Sequence, residues 1–128
     1  MTRSIISTDL APAAIGPYAQ GVRAGNLIFT AGQIPIDPVT QQVVAGGIAE
    51  QTTRVMENLK AILEEAGSSL DRVIKATVFL KDLSDFSAMN AVYAEYLETE
   101  GEAPARTTVE VSRLPRNVLV EIDLVAEA

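Results

Sequence analysis

The sequence contains no cysteine, no histidine and no tryptophan among its 128 residues. These absences exclude disulfides, thiol nucleophiles, Ser-His-Asp triads and the common zinc sites. No apolar run is long enough to span a membrane, and Asp9 interrupts the N-terminal segment before it reaches signal-peptide length. We therefore expect a cytoplasmic protein whose chemistry relies on Arg, Lys, carboxylates, hydroxyls, amides and backbone groups.

Positive charge is also scarce. Ten Lys and Arg stand against 17 Asp and Glu, which gives a formal net charge of −7. Because nucleic-acid binding depends on basic side chains that neutralise phosphates, this balance argues against a nucleic-acid partner. With 48% apolar residues and no low-complexity segment or linker, residues 1–128 are expected to form one domain with a sizeable core.

The first half of the chain predicts a hairpin followed by a helix. Apolar-rich runs at 18–23 and 27–31 flank Gly25-Asn26, which is typical of a hairpin turn. Prolines and glycines between 35 and 47 predict a loop-rich passage. Apolar residues spaced three and four apart then predict a helix over 48–66.

The second half predicts a strand, a helix and a final hairpin. The segment 73–80 is nearly apolar on both faces, which favours a strand buried on both sides. Ser84 is a plausible N-cap for a helix that Gly101 and Pro104 end, and 103–123 supplies the last two strands. Apolar and aromatic residues recur along this helix at helical spacing and are assigned to the core: Phe86, Met89, Tyr93, Tyr96 and Leu97. The fold class is therefore α+β, with two helices covering one face of a mixed sheet.

Charged residues alternate with apolar ones along the last two strands. On the final strand, four apolar residues are predicted to face the helices: Val118, Val120, Ile122 and Leu124. On the strand before, the more apolar set is assigned to the same side: Thr107, Val109 and Val111. The opposite face then carries charged and polar residues from both strands: Arg106, Thr108, Glu110, Glu121 and Asp123. A face of this mixed character suits a subunit interface with a polar cleft, which predicts a homo-oligomer.

Two interpretations of the charged face remain open from the pattern alone. Arg106 could form an ion pair with Glu121 or Asp123 across the predicted hairpin and so hold its register. Alternatively, Arg106 could bind the carboxylate of a substrate, while Glu121 on the neighbouring strand handles a proton or a water.

The stretch PARTTVEVSRLPRNVLVEID closely resembles the signature of the RidA family, also called the YjgF/YER057c/UK family of reactive-intermediate (enamine/imine) deaminases. The likeness continues through IGPYAQGV, NLIFTAGQIPIDPVTQQVV and residues 52–97, and so covers almost the whole chain. The resemblance implies a chorismate-mutase-like fold, a homotrimer, and active sites in the clefts between subunits.

The resemblance also implies roles for individual residues. Arg106 matches the arginine that grips the substrate carboxylate, and Glu121 matches the carboxylate credited with positioning or activating the water. Four further positions match residues that line or adjoin the pocket: Tyr18, Gly32, Asn90 and Thr108. Taken alone, Tyr18 would be a strand aromatic, Gly32 a turn glycine and Asn90 a surface helix residue, while Thr108 occupies a position where members of the family carry Cys, Ser or Thr. Two alanines depart from the family pattern at positions that often carry serine: Ala19 and Ala31.

The activity implied is that of a 2-iminobutanoate/2-iminopropanoate deaminase. Such an enzyme hydrolyses the enamine and imine intermediates released by pyridoxal-phosphate-dependent dehydratases to 2-oxo acids and ammonia, with no metal or cofactor. Two alternatives are an endoribonuclease that inhibits translation and a non-catalytic keto-acid-binding or chaperone-like protein. A pure binder would need Arg106 but would have little use for Glu121.

Overall fold

Six strands form one mixed sheet in the computed structural model, which describes residues 2–128. The strands are β1 (Arg3–Ile6), β2 (Gly21–Ala24), β3 (Leu27–Thr30), β4 (Val73–Leu80), β5 (Ala105–Glu110) and β6 (Val120–Glu127). The helices are α1 (Ile48–Glu65) and α2 (Phe86–Leu97), and short 3₁₀ turns lie at Leu70–Arg72, Leu83–Asp85 and Pro115–Asn117. The strand order is β1-β2-β3-β6-β4-β5, in which only the β4–β5 pair is parallel. Both helices pack on one face of the sheet, as the sequence predicted.

Helix α1 supplies most of the helical side of the core. Its fully buried apolar side chains recur at three- and four-residue steps: Val55, Met56, Leu59, Ile62 and Leu63. The helix begins after Gly47, whose backbone N–H donates to Oε1 of Glu50 at 2.8 Å. It ends before Gly67, which adopts the left-handed conformation with φ +81° that terminates many helices. No helix within residues 2–128 is long and apolar enough to cross a membrane.

The predicted hairpin at the start of the chain is present as β2 and β3. Its turn contains Gly25 at φ +59°, a conformation that a side chain disfavours. An additional strand, β1, pairs antiparallel with β2 at the edge of the sheet. Three of its four residues are exposed, so the alternation that would have predicted it is missing.

Strand β4 has the predicted bounds and lies inside the sheet, between β6 and β5. Its helix-facing side chains are buried, while those on the opposite face are only partly covered in a single chain. The prediction of Ser84 as the N-cap of α2 was wrong, because α2 begins at Phe86. The carboxylate of Asp82 instead accepts the Ser84 N–H at 2.8 Å and so caps the preceding 3₁₀ turn.

The predicted final hairpin was also wrong, because β4 lies between β5 and β6. Residues 111–119 cross the end of β4, where the Lys81 N–H donates to the Leu119 carbonyl at 3.0 Å. Neighbouring strands are about 4.8 Å apart, so a connection of this length easily crosses two strand intervals. Closeness in sequence therefore did not make these strands neighbours.

The assignment of faces on β5 has to be reversed for the same reason. In the parallel β4–β5 pair, Arg106 lies opposite Ala76 and Thr108 lies opposite Val78. Paired residues point to the same side of a sheet, and Ala76 and Val78 are buried beneath the helices. Arg106, Thr108 and Glu110 are thus on the helix face, whereas Thr107 and Val109 share the open face with Glu121 and Asp123. Polar residues are tolerated there because β5 is an edge strand with a half-covered helix face.

Candidate functional site

Arg106 lies on β5 beneath α2, where three residues of one helical stripe surround its guanidinium. Its Nη1 donates to Oδ1 of Asn90. Its Cζ lies 4.7 Å from the ring centroid of Tyr93 and 5.4 Å from that of Phe86. Within residues 2–128, the hydrogen bond of this half-buried cation goes to an amide and not to a carboxylate. The guanidinium can therefore bind an anion from outside the chain.

Two further residues of β5 belong to the same neighbourhood. Thr108 lies two residues after Arg106 on the same face and is half-buried. Glu110 accepts the backbone N–H of Leu83 through Oε1 at 2.9 Å, just before α2 begins. Together with the Arg106–Asn90 bond, this contact links β5 to the α2 segment at two points. The strand that carries Arg106 and the helix that contacts it are thus fixed to each other at two positions.

A second cluster forms on the open face of the sheet, around Glu121. Gly32 lies directly against this side chain, and a Cβ at position 32 would be only 2.9 Å from Cδ of Glu121. The backbone of the next residue, Gln33, pairs with Ile122 through hydrogen bonds of 2.9 and 3.2 Å. Gly32 therefore provides the space that the carboxylate occupies.

Tyr18 lies in the loop before β2 and not in a strand. Its side chain is 54% exposed, and its hydroxyl accepts a long hydrogen bond of 3.4 Å from the Ile15 N–H. The Ala31 N–H donates to the Gln20 carbonyl at 2.8 Å, which brings the Tyr18 segment alongside Gly32. Gly32, with Ala31 before it, thus adjoins Glu121, whereas Tyr18 lies on an exposed loop two residues before Gln20.

The environment of Glu121 favours its protonated form. Burial raises the pKa of this carboxyl, and the negative charge of Asp123 on the same face raises it further. The pKa of Asp123 is itself raised by burial, an effect that the Thr77 hydroxyl and Lys75 partly offset. A carboxylate of this kind accepts a proton more readily than an exposed one, which suits a general base.

Within one chain the predicted site residues form two separate groups. Arg106, Asn90 and Thr108 lie on the helix face, whereas Gly32 and Glu121 lie on the open face. Strands β5 and β6 are also two intervals apart, which is about 10 Å. The proposed ion pair between Arg106 and Glu121 or Asp123 across a hairpin was therefore wrong.

Two residues beside Arg106 were missed as part of the site. Phe86 and Tyr93 were recognised at helical spacing but assigned to the core alone, because periodicity cannot show what a helix face contacts. Residues 2–128 contain no group of three or more carboxylates able to hold a metal ion.

Comparison with known proteins gives consistent matches. The model of the endoribonuclease L-PSP family matches residues 8–128. A RutC family protein of Pyrococcus abyssi is 59% identical over 127 residues, which is 98% of both chains. The 2-iminobutanoate/2-iminopropanoate deaminase of Escherichia coli is 50% identical over 94% of both chains. The crystal structure of E. coli TdcF with bound serine has a TM-score of 0.92 at 44% identity, covering 98% of both chains.

Within a single chain, the raised pKa of Glu121 predicts that Glu121→Gln stabilises the folded chain at neutral pH and not in acid. Because the folded pKa lies above the unfolded value, ionised Glu121 costs folding free energy at pH values above both. Glutamine removes that cost, so Tm should rise at pH 7–8. Below the unfolded pKa both states are protonated, and the gain should vanish near pH 4.

Thermal melts across this pH range, with the exposed α1 variant Glu64→Gln as control, measure the effect. A Tm gain that is larger in acid than at neutral pH would contradict the assignment.

Proposed function

Because the chain belongs to the endoribonuclease L-PSP family, which is the RidA (YjgF) family, we propose that it is a 2-imino acid deaminase. It would hydrolyse 2-iminobutanoate and 2-iminopropanoate to the 2-oxo acids and ammonia, as the name of its E. coli relative describes. The observation that carries this proposal is Arg106, a half-buried guanidinium held by Asn90 and two aromatic rings, with its charge open to an anion. The serine bound to TdcF carries an α-carboxylate, the group that Arg106 would bind here.

The proposed reaction needs only the groups that the chain supplies. The guanidinium of Arg106 holds the substrate carboxylate through two parallel hydrogen bonds and so fixes the adjacent C=N carbon. Glu121 accepts a proton from a water whose oxygen attacks that carbon, and the proton passes to the nitrogen. The C–N bond then breaks and ammonia departs, while Glu121 accepts the proton of the new hydroxyl as the carbonyl forms. The iminium carbon is already electrophilic, so neither a metal nor a cofactor is required.

The separation of Arg106 from Glu121 supports a site built from two subunits. The open face of the sheet carries Glu121 together with exposed apolar side chains, among them Phe29 at 43% and Val109 at 37%. We propose that this face of one copy packs against the β5–α2 edge of the next, bringing Glu121 to Arg106 of its neighbour. Because the two surfaces differ, the contact is head-to-tail and closes into a ring, here a homotrimer.

Two other functions fit the same scaffold less well. An endoribonuclease matches the family description, but the net charge of −7 opposes binding of a polyanion. A pure keto-acid binder leaves unexplained a carboxylate kept basic by burial and accommodated by Gly32. Because the proposed substrates are released by dehydratases, we propose a cytoplasmic location beside those enzymes.

Substitution of Arg106 and Glu121 should separate binding from turnover. Arg106→Ala leaves the substrate carboxylate unpaired at a cost of about 2–5 kcal/mol, which lowers kcat/KM roughly 30- to 5,000-fold. Arg106→Lys should recover only part of this loss, since lysine lacks the planar fork. Glu121→Gln should still bind 2-oxobutanoate but lose turnover, because an amide cannot take the proton from water.

These variants are compared by generating the imine with a dehydratase, following 2-oxo acid formation, and titrating 2-oxobutanoate calorimetrically. Normal binding and turnover in Arg106→Ala would disprove the site. Degradation of RNA by the wild type, without acceleration of imine hydrolysis, would favour the endoribonuclease.

Mixing two inactive variants tests the intersubunit site. If Arg106 and Glu121 meet across a trimer interface, each mixed trimer of Arg106→Ala and Glu121→Gln chains contains one intact pair among its three sites. Random co-refolding of equal amounts should therefore restore about a quarter of wild-type activity, in particles of about 41 kDa, three times the chain mass of 13.6 kDa. Each variant refolded alone is the control. Activity no greater than the average of the two controls would mean that the pair does not form between chains.

Metal independence predicts that exhaustive dialysis against a chelator leaves imine hydrolysis unchanged. Loss of activity, with recovery on addition of a divalent ion, would reveal a carboxylate site formed between subunits.

A further inference from the structure

Tyr93 presents the face of its ring to the guanidinium of Arg106. The residue is 5% exposed, and its ring centroid lies 4.7 Å from Cζ of Arg106. Its buried hydroxyl has no hydrogen-bond partner within residues 2–128. Burial raises the pKa of this hydroxyl, an effect that the charge and the N–H donors of the nearby Arg106 guanidinium oppose, so the side chain is neutral at ordinary pH. The aromatic face is thus the part of Tyr93 that makes a defined contact with the arginine.

A carboxylate is bound by both arms of a guanidinium only when the plane of the group has the correct orientation. The stem of an arginine is flexible, and ordering it upon binding reduces affinity. Asn90 holds Nη1 through one hydrogen bond, which still permits rotation about that bond. The ring of Tyr93, with Phe86 farther away at 5.4 Å, supplies an attractive surface that limits this rotation.

We propose that Tyr93 is a positioning residue that pre-orients the Arg106 guanidinium through the face of its ring. Phe86 assists it, and the two rings with Asn90 form an aromatic–amide clamp along one stripe of α2. The inference rests on the proposed function only for the ligand, a small 2-oxo or 2-imino acid bound by its carboxylate. It goes further by assigning part of the affinity to a buried core residue that does not touch the substrate.

The test compares two substitutions of Tyr93. Tyr93→Phe keeps the ring and removes only the unpartnered hydroxyl, so binding of 2-oxobutanoate should be unchanged and Tm equal to or above wild type. Tyr93→Leu remains apolar but removes the ring, and the dissociation constant should rise about 5- to 30-fold. Affinity is measured by calorimetry at a temperature well below the Tm of each variant.

Tyr96 provides a matched control on the same helix. Its hydroxyl donates to Oε2 of Glu57 on α1 at 2.7 Å, and this bond helps to raise its pKa, after burial, to about 12. Tyr96→Phe and Tyr96→Leu should lower Tm while leaving 2-oxobutanoate affinity unchanged. The contrast between positions separates the effect on Arg106 from a general loss of helix packing.

The coupling to Arg106 is measured in a second background. Lysine at position 106 lacks a plane for the ring to orient, so Tyr93→Leu should weaken binding less in Arg106→Lys than in the wild type. If Tyr93→Leu does not fold, Phe86→Leu is used in its place, because Phe86 is 36% exposed and its loss disturbs the core less. Its effect on 2-oxobutanoate affinity should also be smaller in Arg106→Lys than in the wild type, with a smaller difference than for Tyr93→Leu.

Three results would overturn the inference. Unchanged affinity in Tyr93→Leu, or in Phe86→Leu used in its place, would make these rings packing residues only. An equal loss in Tyr93→Phe and Tyr93→Leu would assign the effect to the hydroxyl. Failure of the wild type to bind any 2-oxo acid would overturn the proposed function together with this inference, and is distinguished from the other results because it appears before any substitution at Tyr93.

Discussion

The parallel pairing of β5 with β4 determines where the charged side chains of the C-terminal strands point. Because Arg106 is in register with Ala76, it turns toward α2 and lies between aromatic rings and an amide. Because β6 pairs with the other edge of β4, Glu121 turns the opposite way, beside Gly32. A direct β5–β6 hairpin could have placed the two charges on one face, where they would neutralise each other. The inserted strand keeps them apart and leaves both available.

The separation has an energetic consequence on each face. On the helix face, the half-buried Arg106 guanidinium is stabilised by an amide oxygen and by the faces of aromatic rings. On the open face, two neighbouring carboxyls have raised pKa values, so their ionised forms oppose folding at neutral pH. Residues that reduce stability in this way are common at functional sites, because the reaction needs charged groups that do not stabilise the fold.

In the proposed trimer, assembly links the two faces. The open face exposes several apolar side chains, which is unfavourable in water. It also carries Glu121, the carboxylate that would complete the site with Arg106. In the proposed ring each subunit contributes one surface to its neighbour on either side, so burial of the apolar residues and completion of the site occur in one step. Under this arrangement the catalytic pair would exist only in the assembled protein.

Local signals in the sequence were sufficient for much of the fold. The periodicity of α1, the Gly25 turn and the apolar segment of β4 depend on neighbouring residues, and each was predicted close to its observed place. The motifs around Arg106 and Glu121 identified the family and the residues to examine. Strand order was decided only in the tertiary structure, because alternation shows that residues 106 and 107 face opposite ways without showing which strand lies alongside. That non-local pairing decided which face of the sheet carries Arg106. The contact of Tyr93 with Arg106 could not be predicted for the same reason, because helical periodicity does not show which strand a helix face packs against.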